Sequence, residues 1–164
     1  MDPDELADTF RTLRAAGKVL HFGVSNHTPQ QLALLHRRHP LVTQQIEFSP
    51  LQMRALADGT LAQCVDLGIR PMAWSPLAGG QLFSGSDEHA LRVRGVLQAL
   101  ADVHGVTLTT MAYAWVLRHP SKPLPITGSR RIDVLREAVA ALDFALSAED
   151  WYRVWQASVG HEVA

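Results

Sequence analysis

Cysteine is nearly absent from this chain. Among 164 residues only Cys64 occurs, so no internal disulfide can form, and a reducing compartment is indicated. Cys64 sits in an apolar helical stretch and reads as buried filler rather than a reactive thiol. Tyrosine is confined to Tyr113 and Tyr152 and lysine to Lys18 and Lys122, which leaves few candidates for a phenolic acid or an amine base. No apolar run approaches the roughly 18 residues that cross a bilayer. The opening MDPDELADTF is acidic where a secretory or transit signal is basic. Charge of one sign is missing too: 15 basic residues stand against 16 acidic ones. That balance excludes the basic footprint of a nucleic-acid binder and offers no pull toward an anionic membrane. The expectation is a cytoplasmic protein whose partner is a small molecule or another protein.

Hydrophobic residues make up 47% and charged residues 19%, enough to build one domain, residues 1–164, around a sizeable core. Leu6, Phe10 and Leu13 recur at helical spacing between Asp4 and Ala16, and Gly17 stops that helix. Val19 to Val24 follows as a continuous apolar strand, the pattern of a parallel strand covered on both faces. Thr28 and Gln31 form a capping box with Pro29 at the first helical position, which predicts a helix through Leu35. The unit repeats: strand Val42 to Phe48, helix Gly59 to Leu67, strand Ile69 to Ser75. A helix-rich stretch from Ala90 to Arg118 comes next, then strand Leu124 to Thr127 and helix Ile132 to Leu142. Ser147 opens a last helix with Trp151, Val154 and Trp155 on one face.

Four strands alternating with helices predict a parallel sheet with right-handed crossovers. A Rossmann sheet needs a Gly-x-Gly-x-x-Gly turn after a strand, and no such spacing exists here. A closed (β/α)8 barrel needs about 250 residues. The expected fold is therefore α/β, a partial barrel of about four β/α units plus a C-terminal helix. Its two outer strands would be open edges that invite self-association.

In parallel α/β folds ligands lie at the carboxyl ends of the strands. Here those ends read Ser25-Asn26, Gln45 through Pro50, Trp74 through Gly80, and Gly128 through Arg131. Taken singly each has a bland reading: Ser25 and Asn26 as turn formers, Trp74 as core, Arg130 and Arg131 as a solvated pair. Gly128-Ser129 before a helix is also a recognisable anion site. Together the four supply an amide clamp, a flat ring and a phosphate turn along one rim, which describes a dinucleotide. Gly79-Gly80 and Ser84-Gly85-Ser86 bracket a segment expected to act as a closing loop.

The segments GKVLHFGVSNHTPQQL, TQQIEFSPL, RPMAWSPLAGGQLF and PLPITGSRRIDVLREAV, in this order, resemble the C-terminal half of an aldo-keto reductase, from about Asp2 to the end. The resemblance implies a (β/α)8 barrel that uses NADPH to reduce a small carbonyl substrate. By position, it implies that Ser25, Asn26 and Gln45 hydrogen-bond the nicotinamide carboxamide and that Trp74 stacks on the nicotinamide ring. Ser75, Pro76, Leu77 and Ala78 are similar to the loop along the pyrophosphate. Gly128, Ser129 and Arg130 match the turn at the adenosine phosphate, and Glu137 a carboxylate near adenine. Val134 and Ala138 stand where many members place an arginine or glutamine and an asparagine toward the 2′-phosphate. NADH therefore stays open beside NADPH, with Arg130 or Arg131 as substitutes.

Aldo-keto reductases catalyse with an aspartate, a tyrosine acid, a lysine that lowers its pKa and a histidine. None has a counterpart here, so no catalytic residue is assigned. The expectation is that the first half of the barrel is not part of this polypeptide, Met1 falling just after the fourth strand. The chain then reads as the cofactor-binding half of the enzyme, not catalytic by itself. The alternative is a non-catalytic dinucleotide-binding sensor or regulatory module. No metal site is expected: His36 and His39 in HRRHP read as a solvated helix end, His21 as a core residue, and His27 as an exposed loop residue beside a possible substrate.

Overall fold

The computed structural model describes residues 2–163. Helix α1 (Pro3–Ala15) starts where the Asp2 carboxylate accepts from Asp4 N, a standard way to satisfy first-turn donors. Strand β1 (Gly23–Ser25) leads to helix α2 (Pro29–His36), whose capping box between Thr28 and Gln31 is present in both directions. Strand β2 (Thr43–Glu47) is followed by the short helices α3 (Arg54–Ala57) and α4 (Thr60–Asp66). Strand β3 (Met72–Trp74) precedes a tight turn and helix α5 (Gln81–Ser84). Helices α6 (Glu88–His104) and α7 (Leu108–Leu117) follow. Strand β4 (Leu124–Pro125), helix α8 (Ile132–Ala140) and helix α9 (Ala148–Val159), capped by Ser147, complete the order.

The four strands are parallel in the order β1-β2-β3-β4, with Ser25 opposite Gln45 and Glu47 opposite Trp74. Because side chains alternate along a strand, Val24, Gln44, Ile46 and Ala73 face the helices. Gln44, Ile46 and Ala73 are buried there, while Ser25, Gln45, Glu47 and Trp74 lie on the opposite, more open face. A four-stranded parallel sheet covered by helices on one face is the arrangement of a partial barrel, as expected.

The main core gathers Phe48, Leu61, Leu82, Leu97, Met111, Trp115 and Trp151. Trp115 and Trp151 stack at 5.2 Å, and each indole N–H donates to the other's backbone carbonyl at 3.0 Å. This pair clamps α9 to α7, and Phe48 at the end of β2 lies against Trp115. A second cluster holds Leu32, Leu35, Leu41, Ile69 and Cys64. Cys64 is buried as expected, and burial pushes its thiol up to about 11.

Two expectations need correction. The first strand is shorter than Val19 to Val24 and is not covered on both faces: Leu20 is 76% exposed, and His21 is exposed rather than core. Here β1 is an edge strand, so an apolar run that would bury both faces in a closed barrel has a neighbour on one side only. HRRHP is not a solvated helix end. His39 is 6% exposed with its ring edge against Phe10 and Phe22, and His36 Nδ1 accepts from Leu41 N. The segment bracketed by Gly79-Gly80 and Ser84-Gly85-Ser86 forms a folded turn, with Arg94 Nη1 donating to the carbonyls of Phe83 and Gly85 at 2.8 and 3.0 Å.

Candidate cofactor site

The rim at the carboxyl ends of the strands is where the chain departs from ordinary backbone geometry. Among the described residues four non-glycines have positive φ, and three are site candidates: Asn26 (54°), Ser75 (48°) and Ala78 (53°). Such conformations cost of order 1 kcal/mol or more and cluster at ligand sites. Asn26 and Ser75 each follow the last residue of a strand, so the left-handed turn bends the chain off the sheet and aims the next segment along the rim.

At the β1 and β2 ends, Ser25 Oγ donates to Gln45 O at 3.2 Å and Asn26 N to the same carbonyl at 2.9 Å. These bonds fix the backbone of all three residues and leave the amide groups of Asn26 and Gln45 without a partner among the described hydrogen bonds. Next along the rim, Trp74 walls two clefts. One, of about 380 Å³, is lined by Asn26, His27, Glu47, Arg54 and Thr60 among others. The second, of about 440 Å³, brings together Trp74, Ser75, Pro76, Leu77, Gly128 and Ser129, with Gly79, Gly80, Tyr113 and Thr127. Six of the twelve expected residues thus share one cleft, and Asn26 lies across Trp74 in the other.

The remaining five candidates stand apart, Ser25 and Gln45 among them, since they line neither cleft. Ala78 lines neither cleft, though its N–H donates to Ser75 O at 2.7 Å and closes the turn. Arg130 is exposed and lines neither. Glu137 is half-buried on α8, its backbone carbonyl accepting from Thr110 Oγ1 at 3.0 Å. Arg131 is bound by the Asp133 carboxylate, which raises the guanidinium's pKa and lowers that of the carboxyl. Of the two candidates for a 2′-phosphate, Arg130 therefore remains the available one. Arg131, the residue before helix α8, gives it no side-chain cap, so its first-turn N–H groups are open to an anion.

Sequence reasoning missed two features. Tyr113, which no strand-end motif includes, is 2% exposed yet forms part of the cleft wall with Gly128. Only the docking of α7 against β4 brings it there. His27, read as an exposed loop residue, is half-buried: its Nδ1 lies 3.2 Å from Ser25 O and its Nε2 is closed off without a partner.

The family model described as "Aldo/keto reductase family" matches residues 1–158. The chain is similar to the oxidoreductase YdhF of Escherichia coli, at 46% identity over 99% of this chain and 55% of that protein. It is also similar to a 6-dehydroglucose reductase of Agrobacterium fabrum, at 37% identity over 100% of this chain and 55% of the relative. Among solved structures, the thermostable aldo-keto reductase Tm1743, in complex with the inhibitor epalrestat, superposes with a TM-score of 0.82. It is 24% identical and covers 96% of this chain and 55% of its own. An aldo/keto reductase from Klebsiella pneumoniae in complex with NADP and acetate gives 0.77 at 28% identity, over 93% of this chain and 53% of its own. The chain spans about half the length of the relatives it matches, and it belongs to the aldo/keto reductase family.

Proposed function

We propose that this chain holds a nicotinamide dinucleotide along the rim at the β1, β2, β3 and β4 ends, as the cofactor-binding part of NAD(P)H-dependent carbonyl reduction. The observation that carries the reading is the shared cleft of Trp74, Ser75, Pro76, Leu77, Gly128 and Ser129, continued across Trp74 to Asn26. The donor set fits the group. Ser25, Asn26 and Gln45 would clamp the carboxamide, and Trp74 would present a flat face to the nicotinamide. Ser75 to Ala78, Gly128 and Ser129 would offer backbone N–H groups to phosphates, with Arg130 and Glu137 at the adenosine end. A bound NAD(P)H supplies a hydride. The chain's own residues orient the ring that gives it and exclude water from one face, which is positioning rather than bond-making.

By itself the chain binds without reducing carbonyls, because no aspartate, tyrosine, lysine and histidine set corresponds to the catalytic four. The similarity to 6-dehydroglucose reductases makes an oxidised sugar a reasonable substrate class for the whole activity. We place the single domain in the cytoplasm, where Cys64 stays reduced, and expect its open strands β1 and β4 to favour self-association.

Calorimetric titration with NADPH and NADH tests the reading. Saturable binding that Trp74→Ala weakens, with no turnover of aldehydes, is the expected result. Absence of binding to either dinucleotide up to about 1 mM, an affinity of only ~4 kcal/mol, would remove it. Turnover by the purified chain would remove the non-catalytic part.

A further inference from the structure

Two glutamines reach the loop around Asn26 from the helix side of the sheet. Gln44 on β2 is fully buried, and its Nε2 donates to His27 O at 2.8 Å. Gln63 on α4 donates through Nε2 to Pro29 O at 2.6 Å. Both partners are carbonyls, which only accept, so each amide must present its nitrogen to the loop. What is left over is costly: Gln44 Oε1 and Gln63 Oε1 are closed off without a partner, and so is His27 Nε2. His27 Nδ1 lies 3.2 Å from Ser25 O and must carry the proton, which makes Nε2 of the neutral ring a third acceptor. Three acceptors cannot satisfy one another, and turning either amide over would set two carbonyl oxygens face to face at the loop. Orphaned acceptors in a core call for a reason.

The reason lies in the backbone they hold. Asn26 stands at φ 54°, a conformation that persists only where its surroundings over-determine it. Gln45 O takes the Ser25 hydroxyl and the Asn26 N–H, while the Gln44 side chain takes the carbonyl of the next residue, His27. Adjacent residues of a strand point to opposite faces, so Gln45 turns its amide to the open side and Gln44 works from the core.

We propose that Gln44 is a positioning residue for the nicotinamide clamp, fixing the His27 carbonyl and through it the left-handed Asn26 whose amide meets the carboxamide. It touches no ligand, and Gln63 supports the same loop two residues further on. The assignment rests on the reading of the rim as a dinucleotide site.

Calorimetry on the chain, Gln44→Met and Asn26→Gly tests it, with NADP⁺ and NAD⁺ set against their counterparts lacking nicotinamide, 2′-phospho-ADP-ribose and ADP-ribose. Gln44→Met keeps the length of the side chain and loses the donor. It should weaken the preferred dinucleotide about fivefold, the loss of one neutral hydrogen bond, and leave the matching nicotinamide-free ligand unchanged. A merely structural role weakens both alike or neither, and either result overturns the proposal. Asn26→Gly accepts the positive φ without strain and removes the clamp amide. On that background Gln44→Met should add little, and additive losses overturn the path through Asn26. Urea denaturation checks the fold of each variant; if Gln44→Met does not fold, Gln63→Met is read against the same ligands. A wild type that binds none of them sinks the dinucleotide reading and this assignment together. A wild type that binds, with no selective loss in the variants, sinks this assignment alone.

Discussion

Gly128→Ala separates the fold from the proposed function. A methyl built on Gly128 meets no protein atom within 4 Å, and its φ lies outside the left-handed region. Neither crowding nor backbone strain opposes the substitution, and restricting the unfolded chain should hold stability constant or raise it by about 0.5 kcal/mol. If a phosphate rests against this turn, the same methyl occupies the approach to the backbone N–H groups at the start of α8. Losing one hydrogen bond to a charged oxygen costs about 1.5–3 kcal/mol, which is roughly ten- to a hundredfold in affinity. Urea denaturation followed by circular dichroism and calorimetric titration with NADPH, on the same preparation, give the two numbers. An unchanged affinity would refute the placement of the phosphate at Gly128. A drop in stability of more than about 1 kcal/mol would refute the reading of this turn as free of packing demands.

Two further outcomes test the packing that carries the rim. Trp115→Phe removes the indole N–H that donates to the Trp151 carbonyl, leaving that carbonyl only its helical bond. With the lost stacking it should cost about 2–4 kcal/mol, and Trp151→Phe should behave alike and non-additively in a double-mutant cycle. Asp150 lies at the start of α9. Burial raises its pKa, but the Ser147 hydroxyl, His104 and Arg153 outweigh it, so the net shift is below the usual 3.8. A carboxyl with a lowered folded pKa adds stability that is fully present above the unfolded value and lost as pH falls through the folded one. The stability difference between wild type and Asp150→Asn should therefore be constant near neutrality and shrink only below pH 3.8; a difference that grows on acidification would contradict the assignment.

Much of the architecture was legible in the order of residues. Thr28, Gln31 and Pro29 state a helix start in local chemistry alone, and the cap forms as written. Ser147 with Asp150 does the same for α9. Ser25-Asn26, Trp74-Ser75 and Gly128-Ser129 were legible as strand ends because turn-forming and polar residues interrupt apolar runs, and parallel strands place all such ends on one rim. The misreadings share a cause. Val19 to Val24 and HRRHP were judged by hydrophobicity, which says how much a segment prefers burial but not what is beside it. Leu20 is exposed because β1 has no outer neighbour, and His39 is buried because Phe10 from α1 arrives beside it.

By itself, then, the sequence determined the alternation of strands and helices, the caps, the parallel order and the family, since each depends on contacts a few residues apart or on motifs read in line. Only the tertiary structure decided which strand ends share a cleft, that Arg131 is occupied by Asp133 while Arg130 is not, that Tyr113 lines the cleft with Gly128, and that His27 is half-buried. Those facts depend on distances between segments far apart in the chain, and such distances are set when the helices pack onto one face of the sheet.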